Sequence, residues 1–128
     1  MAVSSKGIQR PAESTEYWFE EGCHILELAN SADDPAVSIA RVRVGPGQTT
    51  RWHTLSSTTE RYVILSGEGL VEIGKDLRES VTIGDVARIP AGSAQRIRNC
   101  GKEDLVFLAI CSPRFTPECY TAMEPDAD

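Results

Sequence analysis

His53 and Glu60 are the two side chains in this sequence best suited to chemistry by type and spacing. A histidine seven positions before a glutamate, in β-rich surroundings, offers an imidazole and a carboxylate that neighbouring strands can bring together. Such a pair can move protons, or share a metal ion as nitrogen and oxygen ligands. A third polar residue, Gln95, lies further along. If His53 faces inward, strand alternation turns Arg51 and Leu55 the same way. Glu60, Tyr62 and Ile64 then share a face on the next strand, and Gln95 and Ile97 share one on a later strand. The expected lining is Arg51, His53, Leu55, Glu60, Tyr62, Gln95 and Ile97, a few polar groups in an apolar wall. Arg51 is expected either to pair with Glu60 or to hold an anionic group of a substrate. Tyr62 reads as a pocket acid or as core. Glu60 needs a partner, because an unpaired buried carboxylate is costly or gives up its charge.

The elements that would position these residues are short strands. Turn signals recur along the chain, among them Gly45-Pro46-Gly47, Gly67-Glu68-Gly69, Gly84-Asp85 and Pro90-Ala91-Gly92. Between them lie runs rich in aliphatic and β-branched residues, at 37–44, 62–65, 70–73, 81–83, 86–89 and 105–111. Evenly spaced short strands with Gly and Pro turns read as a sandwich or barrel. No segment carries a sustained helical period.

Two stretches then fit a known pattern. Gly47, five residues, His53, Thr54, Leu55, four residues, Glu60, six residues, Gly67 is the first. Gly84, five residues, Pro90, Ala91, Gly92, two residues, Gln95, three residues, Asn99 is the second. In order and spacing they resemble the two sequence motifs of the cupin superfamily, small single-domain members labelled mannose-6-phosphate-isomerase-like in particular. The resemblance implies an all-β double-stranded β-helix, or jelly-roll barrel, over residues 16–114. A loose N-terminal tail over 1–15 and a C-terminal tail over 115–128 would flank it. It also places metal ligands at 53, 55, 60 and 95, ordinarily three histidines and a glutamate. Leu55 and Gln95 replace two of the histidines. The implied cofactor is one divalent ion (Zn, Ni, Mn or Fe) on His53, Glu60 and Gln95, in a partly degenerate site. The implied function is a metal-assisted isomerase, epimerase or lyase acting on a small anionic or sugar-like substrate. His53 and Glu60 would be its catalytic groups, and Arg51, Tyr62 and Gln95 its substrate-binding ones. The alternative is a metabolite-binding cupin that has lost its metal and does not turn over its ligand.

Composition sets the surroundings. At 128 residues the chain suits one domain, and its net charge of -6 disfavours a nucleic-acid partner. Arg41, Arg43, Arg96 and Arg98 read as solvated strand faces. No apolar run is long enough for a membrane helix, and Met1–Glu16 lacks a secretory signal, so a cytoplasmic protein is expected. The four cysteines, at 23, 100, 111 and 119, have no CxxC spacing and read as reduced thiols, with Cys111 in the core. His24 reads as an edge-strand residue and Trp52 as packing or a subunit contact. Tyr17, Trp18 and Phe19 are candidates for a homodimer contact.

Overall fold

Polar residues alternate with apolar ones along the longest segments, and in the computed structural model, which describes residues 7–123, these segments are strands. In order they are β1 (Tyr17–Phe19), β2 (Cys23–Ala29), β3 (Ser38–Val44), β4 (His53–Leu55), β5 (Thr59–Ser66) and β6 (Gly69–Ile73). There follow β7 (Leu77–Val81), β8 (Val86–Ile89), β9 (Gln95–Asn99), β10 (Leu105–Ser112) and β11 (Tyr120–Ala122). Strand β7 lies N-terminal to the expected run at 81–83. Its residues are mostly exposed, so burial imposes no apolar alternation on them, and Ile83 belongs to the following turn, where it is exposed.

The strands form two antiparallel sheets, ordered β1-β2-β3-β10-β5-β8 and β11-β4-β9-β6-β7. This is the all-β double-stranded β-helix expected from the motifs. Strand β10 shows how the pleat selects the core. Leu105, Phe107, Ala109 and Cys111 point inward, while Val106, Leu108, Ile110 and Ser112 are half-buried on the other face. Phe107 packs with Tyr62, Ile64, Val42, Val44, Val71, Ile89 and Ile97 in one apolar cluster. Each large side chain buried there contributes about 1.5–3 kcal/mol relative to exposure.

Two framework residues do specific work. Gly67 has a φ of +87°, and a Cβ there would lie 2.7 Å from the Asp104 carbonyl oxygen. The turn therefore needs glycine both for its conformation and for its space. Asn99 accepts from the Gly101 amide and donates to the carbonyls of Val44 and Glu103, which ties the end of β9 to β3.

The flanking segments depart from expectation. Arg41 and Arg43 are not simply solvated. Arg41 pairs with Glu13 and Glu16, and Arg43 with Glu16 and Asp104, which docks residues 13–16 on the sheet. Arg96 pairs with Glu72 and lies 4.6 Å over the Trp52 ring. Residues 1–6 of the expected N-terminal tail lie outside the described residues. The expected C-terminal tail contributes β11, which pairs with β4. Of the three aromatics expected at a dimer contact, Tyr17 and Trp18 are exposed on edge strand β1. Phe19 instead turns inward, with its ring 5.2 Å from that of Tyr120. No helix among the described residues is long and apolar enough to cross a membrane.

Candidate functional site

Strand register brings the motif residues together. In the antiparallel pairing of β4 with β9, His53 lies opposite Gln95. In the pairing of β10 with β5, Cys111 lies opposite Glu60 and Ala109 opposite Tyr62. Directly opposed side chains share a face, with Cβ atoms about 5 Å apart. All of them turn inward: His53, Glu60, Tyr62 and Gln95 are buried. His53, Glu60 and Tyr62 line a cavity of about 70 Å³, closed on its other sides largely by apolar and aromatic side chains such as Phe19, Val42, Leu55, Phe107 and Phe115. Space of that size holds several waters or a ligand of a few heavy atoms.

The imidazole is fixed in one tautomer. His53 Nδ1 lies 2.7 Å from the Arg51 carbonyl oxygen, which can only accept, so Nδ1 carries the proton. The Glu21 carboxylate approaches the same nitrogen at 3.2 Å. Nε2 takes no part in either contact. The Tyr120 ring stacks on the imidazole at 5.1 Å between centroids. Burial lowers the His53 pKa below its ordinary value, and the Arg51 carbonyl opposes this only in part. The ring is therefore neutral at neutral pH.

The two carboxyls shift in the opposite sense. Burial pushes Glu60 up to about 7, against the opposing influence of Gln95 and Cys111. Burial pushes Glu21 up to about 8, helped by the Glu60 charge and opposed by Cys23 and Tyr120. One Glu60 oxygen, Oε2, accepts weakly from the Cys111 thiol, while Oε1 is buried with no hydrogen-bond partner. Tyr62, whose pKa burial raises well above its usual value, donates its hydroxyl hydrogen to Gln95 Oε1.

Three expectations need correction. Arg51 does not face the cavity. It precedes β4, so strand alternation does not reach it; it is exposed, and its Nε donates to the Met123 carbonyl. It makes no ion pair with Glu60. Gln95 lies behind the wall, with its oxygen engaged by Tyr62 rather than open to a metal or a substrate. Ile97 belongs to the apolar core. The sequence reading missed Glu21 and Tyr120 altogether. Glu21 sits in the β1–β2 turn next to Gly22, where a charged residue reads as solvated. Tyr120 belongs to what read as a tail.

A family model described as a cupin domain matches residues 40–111, more than half of the chain and including every position from His53 to Gln95. The chain is a cupin. An oxalate-binding protein of Thermotoga maritima is 34% identical to it over 91 residues, covering 70% of this cupin and 73% of that protein. A nucleoside dehydratase of Streptomyces superposes with a TM-score of 0.74 at 13% identity over 90% of both chains. An oxalate decarboxylase of Lactobacillus farciminis, in complex with formate, superposes with a TM-score of 0.73 at 22% identity. That match covers 85% of this cupin and 33% of the decarboxylase chain. Likeness at such low identity extends to the barrel alone. Glu21 and Tyr120, the two unforeseen site residues, both lie outside the matched domain.

The donor set fits a metal poorly. Leu55 offers no donor atom, the Gln95 oxygen accepts from Tyr62, and Glu21 meets His53 at Nδ1 rather than Nε2. Among the described residues no three His, Cys, Asp or Glu side chains converge as a metal site does. His53 Nε2 and Glu60 alone fall short of the three or four protein donors usual for a transition metal.

Proposed function

We propose that this cupin carries out metal-independent acid–base chemistry, a lyase or isomerase step, on a small substrate without negative charge. The observation that carries the reading is the inverted pair in one cavity. A neutral imidazole with a free Nε2 stands with carboxyls whose pKa values are raised to neutrality or above. Groups poised near the working pH are the most effective acids and bases. His53 Nε2 takes a proton from a carbon beside a carbonyl. The imidazolium so formed returns the proton, either to the neighbouring carbon in an isomerisation, with the hydroxyl hydrogen passing to the carbonyl oxygen, or to a hydroxyl that departs as water in an elimination. Glu21 holds the imidazole through Nδ1, and Tyr62 with Gln95 braces the wall beside Glu60. No Lys or Arg is among the residues lining the cavity, so nothing there compensates the charge of an anionic substrate.

The test is exchange of substrate hydrogen with solvent. The protein is incubated in deuterium oxide with small hydroxyaldehydes, hydroxyketones and aminoketones and followed by proton NMR. Deuterium should enter beside the carbonyl, and His53→Gln should slow this by at least about 100-fold, as expected for loss of a general base. Exchange unaffected by that substitution would remove His53 from the chemistry. A second reading, a small-carboxylate binder without turnover, is favoured by the oxalate-binding relative. It predicts that oxalate binds and that no exchange occurs.

A further inference from the structure

We propose that the ligand this cavity selects is a small protonated amine, with Glu60 as its counter-ion and the aromatic walls packed against it. This names a substrate class for the acid–base reading and rests on it.

The first observation is an unmet need at Glu60. The residue is 8% exposed and lines the cavity, its buried Oε1 makes no well-formed hydrogen bond, and the donors beside the carboxyl, the Gln95 amide and the Cys111 thiol, are both neutral. A buried carboxylate oxygen in that state calls for a donor, and a charged donor satisfies it best. The second is the sign of everything else that faces the space. Glu21 and Glu27 also line it, and no Lys or Arg does. Arg51 is turned away to the Met123 carbonyl. Arg114 acts on Glu27 alone among the lining carboxyls. The third is the wall. Phe19, Phe107, Phe115 and Tyr120 present rings to the cavity, and aromatic faces attract ammonium groups from which water has been excluded.

Ligand charge decides among candidates of equal size. An ammonium group brings both N–H donors for Oε1 and the missing positive charge. A hydroxyl brings a donor only. A carboxylate brings no donor for Oε1, and its like charge is repelled as the lining carboxyls ionise. The groups around Glu60 give it no cationic partner: Tyr62, Gln95 and Cys111 are neutral at neutral pH, Glu21 is acidic, and burial keeps His53 uncharged. Burial of Glu60 without a counter-ion is what raises its pKa to about 7. A bound ammonium reverses that shift, so binding drives out a proton and strengthens as pH rises through this range.

Ethanolamine, ethane-1,2-diol and glycolate are close in size and carry a positive charge, no charge and a negative charge. Dissociation constants for the full chain are measured with each by NMR titration. The expected order is ethanolamine tightest, by at least about tenfold over the diol, with glycolate weakest. From about pH 6 to pH 8 ethanolamine should gain about tenfold in affinity as Glu60 ionises, while the diol changes little. Glu60→Gln should bring ethanolamine down towards the level of the diol and remove the part of the pH dependence centred near 7, leaving only the weaker rise towards pH 8 from Glu21. The wild-type pH profile decides the matter even if that variant does not fold. Diol or glycolate binding as tightly as ethanolamine, or ethanolamine affinity that is flat with pH, overturns the proposal. The exchange assay judges the acid–base reading separately, since a diol-binding protein that still exchanges hydrogen would lose only the amine preference.

Discussion

At the scale of the residue, the site is made by burial acting on ordinary side chains. His53 loses basicity because water is withdrawn from it, and Glu60 and Glu21 lose acidity for the same reason. The sequence shows His53 and Glu60 plainly, because motif spacing marks them, and pleat alternation turns both inward. It hides Glu21, since a glutamate beside Gly22 in a turn looks like any solvated turn residue. Only closure of the barrel buries it against His53 and Tyr120. This burial has a measurable consequence for stability. The folded carboxyls bind protons at pH values where the unfolded chain, with glutamates near 4.5, has released them. Stability from these groups is therefore full below that value and is lost as pH rises through about 7 and about 8. His53 works the other way, only as pH falls below its ordinary value of 6.5. Melting temperature should accordingly fall from about pH 4.5 to about pH 8, most steeply between about pH 6.5 and pH 7, and level off above that, and Glu21→Gln should flatten the decline, most clearly between about pH 7 and pH 8. An unchanged slope in that variant would mean that Glu21 is solvated.

At the scale of the element, short strands and tight turns hold the registers that the site requires. Gly67 joins β5, which carries Glu60 and Tyr62, to β6. A methyl group there meets the backbone of Asp104 and Leu105 at under 3 Å, with φ in the left-handed region. Gly67→Ala should cost at least about 2 kcal/mol, from backbone strain and overpacking together. Urea unfolding measures it, and a loss under about 0.5 kcal/mol, the size of a neutral surface change, would contradict the turn described here. The motif glycines, Pro90 and Asn99 made this framework legible. Strand β11 was not legible, because three residues between a 3-10 turn and the chain's acidic end carry no alternation to read. Its pairing with β4 sets Tyr120 opposite Leu55 and over the imidazole. Arg51 failed as an inward residue for a related reason. Alternation holds only within a strand, and β4 begins at His53.

At the scale of the molecule, two sheets enclose one cavity whose polar groups come from separated parts of the chain. The turn before β2, strands β4 and β5, and the C-terminal β11 each supply a member. The whole arrangement implies one electrostatic state, in which the imidazole is uncharged while neighbouring carboxyls still hold protons. The chain has two histidines, His24 and His53, so the imidazole resonances are assigned with a single His24→Gln variant. The decisive measurement is an NMR pH titration that follows the His53 ring nitrogens and the side-chain carboxyl carbon of Glu60 in one sample. The expected result is that His53 loses its proton below its usual 6.5, keeps its remaining hydrogen on Nδ1, and is neutral before Glu60 ionises near 7. A His53 that stays protonated above the midpoint of Glu60, or a Glu60 that titrates near 4.5 as an exposed glutamate does, would contradict it.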